Sequence, residues 1–70
     1  MKLSARNKLK GTVVSVEKGS VNATVRIDMG GGAVITSMIT NEAVEELGLA
    51  EGKTAYAVIK ASHVMVAAEE

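Results

Sequence analysis

The clearest pattern in the chain is the alternation between Val21 and Met29. Val21, Ala23, Val25, Ile27 and Met29 share one parity, while Asn22, Thr24, Arg26 and Asp28 share the other. A period of two is the signature of a β-strand with one buried face. Upstream, Gly11 to Val16 is rich in Val and Thr, as half-buried strands are, and Lys18-Gly19-Ser20 reads as a turn between the two. Downstream, Ala33 to Thr40 places Ile35 and Ile39 on one parity and Val34 and Met38 on the other, so this strand calls for contact on both faces. Gly30-Gly31-Gly32 joins the second and third strands. No helix pattern follows the glycines and no Lys-Ser or Lys-Thr closes them, as a phosphate-binding P-loop needs. They read instead as a hairpin turn requiring positive φ.

The period then changes. Thr40 or Asn41 can cap a helix, because either side-chain oxygen can accept an orphan N–H. Glu42, Glu45 and Glu46 lie towards its N-terminal end, Val44 and Leu47 share a face, and Gly48 is a natural stop. After a turn at Glu51-Gly52, Thr54 to Lys60 reads as a fourth strand, with Ala55, Ala57 and Ile59 on one face and Tyr56 and Val58 on the other. Ala61-Ser62 interrupts it, and His63 to Ala67 reads as a fifth. This order predicts an all-β fold, a five-stranded OB-fold-like Greek-key barrel with one short helix between strands 3 and 4. An SH3-like barrel would give the same pattern. No repeat or linker divides residues 1–70, which are expected to form one domain.

Composition adds a demand for partners. A chain of 70 residues buries only roughly 60% of the surface its unfolded form exposes. Disulfides, a structural metal or oligomerisation are the usual remedies. The chain has no cysteine, one histidine, and Tyr56 as its only aromatic residue. Oligomerisation is therefore the expected remedy, with a neighbouring subunit covering the second face of the sheet. The formal net charge is zero, so no global basic field favours nucleic acid or a membrane surface. No apolar run is long enough to span a bilayer. Met1-Lys2-Leu3 passes directly into polar residues with no signal-peptide core, and the expected location is the cytoplasm.

Catalysis finds little support. His63 is the only candidate base, none of the serines carries a nucleophile motif, and the carboxylates fall on the helix or in turns. The expectation is a non-enzyme, with His63 a strand residue. Ser4-Ala5-Arg6-Asn7 stands out for another reason. It combines a hydroxyl, a guanidinium, a carboxamide and backbone N–H groups, and no carboxylate occurs before Glu17. A second donor cluster, Lys60-Ala61-Ser62, lies near the other end. A tetrahedral dianion is all acceptor, so its site must be all donor, and charge-assisted bonds from Arg6 and Lys60 with hydroxyls from Ser4, Ser62 and Thr40 would meet that need. Taken singly, Arg6 also reads as a solvated cation, Lys60 as a strand-edge lysine and Ser62 as a bulge residue.

The chain resembles the molbindins, small molybdate-binding proteins built from the Mop, or TOBE-type, domain. The resemblance runs through Ser4-Ala5-Arg6-Asn7-x-Leu9-x-Gly11-x-Val13 and Gly19-Ser20-Val21-x-Ala23-x-Val25. It continues in Gly32-x-x-Ile35-Thr36-x-x-Ile39-Thr40, Leu47-Gly48-Leu49-x-x-Gly52 and Ile59-Lys60-Ala61-Ser62-x-Val64. It implies a homohexamer, a trimer of dimers, binding molybdate or tungstate between subunits. By that likeness one site uses Ser4, Ala5, Arg6 and Asn7 with Lys60, Ala61 and Ser62 across an interface, and Thr40 matches a further contact. A second oxyanion site would use Gly19, Ser20, Val21 and Asn22, chiefly through backbone N–H groups. Ala43 offers no hydroxyl where some relatives have one. The implied role is storage or buffering of molybdenum. The alternative is a regulatory or interaction module resembling the ligand-binding domains of molybdate transporters and transcription regulators.

Overall fold

The long first strand sets the shape of the molecule. The computed structural model describes residues 1–69. Strand β1 runs over Asn7–Lys18, β2 over Asn22–Gly30, β3 over Ala33–Thr40 and β4 over Thr54–Ile59, with helix α1 at Asn41–Leu47. All pairings are antiparallel and the order is β3-β2-β1-β4. Three hairpin-connected strands with a fourth returning beside the first is the Greek-key arrangement.

β1 serves two partners in turn. Its first half, Asn7 to Thr12, pairs with β4, and its second half, Thr12 to Lys18, pairs with β2. An irregularity between Val13 and Ser15 falls just beyond the changeover, and such bulges bend a strand and increase its twist. The result is a curled four-stranded half-barrel. The loop before β4 is clipped onto the bend, with Val13 N–H donating to the Lys53 carbonyl at 2.9 Å and Gly52 N–H to that of Val13 at 2.8 Å.

The core lies inside the curl. Val13, Ala23, Val25, Ile27, Val44, Ala55 and Ala57 are buried there, which matches the parities read for β2 and β4 except at Val21, which precedes β2 and is 65% exposed. The open side of the curl leaves an apolar groove of about 720 Å³ lined by residues including Ile35, Ile39 and Ile59. On the outer face Val34, Met38, Tyr56 and Val58 remain exposed. The β2–β3 turn uses positive φ at Gly30, Gly31 and Gly32, and Asp28 Oδ1 accepts from Gly30 N–H at 2.8 Å.

α1 ends as its residues require. Thr40 Oγ1 accepts from Ala43 N–H at 3.0 Å. Gly48 is left-handed and donates to the Glu45 carbonyl, while Leu49 N–H donates to that of Val44. Those two bonds form a Schellman closure, which satisfies carbonyls the helix leaves open. Val44 is buried, but Leu47 is exposed.

Two expectations fail. The first strand begins at Asn7, four residues before Gly11, because Asn7 to Gly11 pairs with β4. The fifth strand is absent: Ala61–His63 is a single 3₁₀ turn and residues 64–69 form no ladder. A strand exists only through its partner, and Met65 and Val66 stand 94% and 90% exposed with no edge against them. His63 is accordingly no strand residue; its N–H closes the turn onto the Lys60 carbonyl at 2.9 Å. In place of the expected five-stranded OB-fold-like barrel, the described residues form a four-stranded curled half-barrel that keeps the Greek-key order.

Candidate functional site

The β1–β4 ladder decides how the first donor cluster is built. Asn7 is opposite Ile59 at the end of that ladder. Asn7 Nδ2 also donates to the Ile59 carbonyl at 3.1 Å, a bond between residues 52 positions apart in the chain. Ser4-Ala5-Arg6 leaves the sheet from one side of this junction and Lys60-Ala61-Ser62 from the other. Sequence reasoning expected these clusters to meet across a subunit interface; within one chain both leave the sheet at the Asn7–Ile59 pair.

Their donors are open to ligand. Ser4, Arg6, Lys60, Ala61 and Ser62 are exposed, and Ala5 and Asn7 are half-buried. Among the described residues neither Arg6 nor Lys60 takes part in an ion pair; the two that form are Lys18–Glu45 and Arg26–Glu17. The junction therefore presents a guanidinium, an ammonium and two hydroxyls, and among the described residues no carboxylate pairs with either cation. Asn7 differs from its neighbours, because one of its two amide protons already holds the two segments together.

Thr40 lies elsewhere. It is opposite Asn22 across the β2–β3 ladder, while Ala23 pairs with Lys18 at the far end of β1. β1 has 12 residues, and a strand of that length extends for roughly 35 Å, close to the 40 Å long dimension of the molecule. Thr40 thus sits at the opposite end from Arg6 and Lys60. Its near neighbours are Gly19, Ser20, Val21 and Asn22, the residues read as a second site. Although its oxygen serves as the cap of α1, a hydroxyl keeps its own proton to donate.

At this end sequence reasoning missed Asn41, weighed only as an alternative cap. Its backbone N–H donates to the Val21 carbonyl at 2.8 Å and its Nδ2 to that of Gly19 at 2.9 Å. Asn41 therefore fastens the β1–β2 turn to the start of α1, and its Oδ1 is buried without a partner. The only signal in the sequence was an Asn at a helix start, which a cap explains equally well. Gly19 N–H is committed to the Asn22 carbonyl at 2.7 Å, so that donor is unavailable to an anion. Among the described residues, no three His, Asp or Glu side chains gather as metal ligands, and no helix is long and apolar enough to cross a membrane.

Comparison with known proteins gives these positions a context. A profile described as the TOBE domain matches residues 3–66. A probable molybdenum-pterin-binding protein from Haemophilus influenzae is 62% identical over 69 residues, covering 99% of this chain and 100% of the relative. Among solved structures, the cytoplasmic molybdate-binding protein ModG, in a form with molybdate bound, superposes with a TM-score of 0.89 at 58% identity. That match covers 93% of this chain and 46% of the other. A molybdate-binding protein from Sporomusa ovata superposes with a TM-score of 0.90 at 37% identity, covering 97% of this chain and 100% of that one.

Proposed function

The chain belongs to the TOBE domain family, and from that premise we propose that residues 1–70 act as one binding domain for molybdate or tungstate, in a homo-oligomer and without catalysis. The observation that carries this reading is the Asn7–Ile59 junction, which brings the Arg6 and Lys60 donor clusters to one end of the sheet with no carboxylate among them. A dianion there would take charge-assisted hydrogen bonds from Arg6 and Lys60, the stronger class. Ser4, Ser62 and the backbone N–H groups of Ala5 and Ala61 would complete the shell. The solved relative holding molybdate is described as cytoplasmic, and the cytoplasm is the proposed location, with storage or buffering of the oxyanion as the role.

Oligomerisation follows from the same reading. Thr40 can join Arg6 and Lys60 only if the α1 end of one copy meets the junction end of another. A hexamer built as a trimer of dimers would supply such contacts repeatedly, and would cover the open apolar groove. Gly19, Ser20, Val21 and Asn22, fastened by Asn41, are proposed as a second oxyanion site, relying on the Ser20 hydroxyl.

Isothermal titration with molybdate, tungstate, sulfate and phosphate tests the proposal. The expected result is micromolar or tighter binding of the first two. Failure of all four to bind at that level would end it.

A further inference from the structure

The outward face of the β1–β4 ladder carries a pattern that anion binding does not use. Lys8 and Lys10 project from it beside their cross-strand partners Val58 and Tyr56, all four exposed. No carboxylate lies between Met1 and Val16. At the opposite end of the molecule α1 presents Glu42, Glu45 and Glu46. Glu45 is engaged by Lys18 at 3.4 Å. Among the described residues Glu42 and Glu46 have no ion-pair partner, and neither do Lys8 and Lys10. A chain with zero formal charge is thus positive at one end and negative at the other.

The spacings of the two unpaired sets agree. Lys8 and Lys10 are two residues apart on a strand, a separation of roughly 6.6 Å. Glu42 and Glu46 are one helical turn apart on one face of α1, a rise of roughly 6 Å. We infer that the Lys8–Lys10 face of one copy docks the Glu42–Glu46 face of α1 from a second copy, and that this contact orients the assembly. The inference rests on the proposed binding function, which requires the junction end of one chain to meet the Thr40 end of another. Lys8 lies on β1 two residues from Arg6 and Glu42 lies in the first turn of α1 after its cap Thr40, so a contact that brings Thr40 to Arg6 also brings the first turn of α1 close to the lysine-bearing end of β1. Pairing also removes a difficulty. An unpaired Glu42 near Thr40 would repel a bound dianion, and Lys8 neutralises it.

Charge reversal on the full chain tests this by sedimentation velocity at low salt, over a protein dilution series. K8E/K10E and E42K/E46K should each weaken association by roughly tenfold or more, as two lost exposed pairs plus repulsion imply. The quadruple variant K8E/K10E/E42K/E46K, which inverts both faces, should restore it. Because the E42K change places a cation against the α1 dipole, E42Q/E46Q is run beside it, with far-UV circular dichroism confirming the fold; it should weaken association by a smaller factor. Wild-type association in either charge-reversed double variant, or no restoration in the quadruple variant, overturns the inference. Titration of the wild type with molybdate separates the two ideas. Binding with charge-insensitive assembly leaves the function standing and removes this interface, while charge-dependent assembly without binding does the reverse.

Discussion

Replacing Gly11 with alanine probes the point where β1 changes partners. Gly11 pairs with Ala55 of β4, and Thr12 next to it opens the ladder with β2. A Cβ built at Gly11 would fall 2.6 Å from the Asp28 carbonyl oxygen and 2.7 Å from Ile27 Cγ2, and would also overlap the tip of Met29. The Met29 methyl can swing away, but the Asp28 carbonyl is backbone within a ladder and cannot. Overpacking of this kind costs about 1–3 kcal/mol. Two opposing effects have to be combined. Gly11 has no positive φ, so alanine is conformationally allowed there, and it reduces the entropy of the unfolded chain by about 0.4–1 kcal/mol. The net expectation is a destabilisation of about 1–2 kcal/mol. For a domain of this size that corresponds to a fall in Tm of about 5–15 °C. The assay is far-UV circular dichroism melting at one fixed protein concentration without oxyanion, since assembly and ligand both contribute to apparent stability. Adding Met29→Ala should not restore wild-type stability, because the carbonyl contact remains. An unchanged Tm for Gly11→Ala would refute the view that β2 crosses β1 too closely for a side chain.

Thr40→Ala should cost about 1 kcal/mol of stability through loss of the helix cap and should also weaken molybdate binding; Thr40→Ser should recover both, by chemical denaturation and titration. Arg6→Ala should leave the oxyanion-free melting curve unchanged, because Arg6 forms no ion pair among the described residues, while molybdate affinity falls by roughly ten- to a hundredfold, the worth of one charged hydrogen bond. Val25, 1% exposed, should cost roughly 1–3 kcal/mol on truncation to alanine by urea unfolding. Molybdate at about 100 times its Kd should stabilise the wild type by about 2.7 kcal/mol; a melting curve insensitive to it would count against a folded-state site.

Much of the fold was legible because its signals are local. The alternation in β2, the Thr40 cap and the Gly48 stop each depend on residues within a few positions of one another. The first four residues of β1 were not legible. Lys8 and Lys10 break the apolar character of that stretch, and only pairing with β4 makes it a strand. His63 to Ala67 failed in the opposite direction. Its residues favour extended chain, but extended chain becomes a strand only when an edge accepts its hydrogen bonds.

The candidate site divides in the same way. Its chemistry, a set of donors without carboxylates at Ser4–Asn7 and Lys60–Ser62, was present in the residues themselves. Its geometry was not. No local rule tells that Asn7 reaches Ile59 across 52 positions, or that Thr40 stands at the far end of a 12-residue strand. Sequence by itself determined the strand parities, the helix and its caps, the hairpin glycines and the donor inventory, all of which are set within a few bonds. Tertiary structure alone decided which donors share an end of the molecule, because antiparallel register is a property of two strands and of neither one.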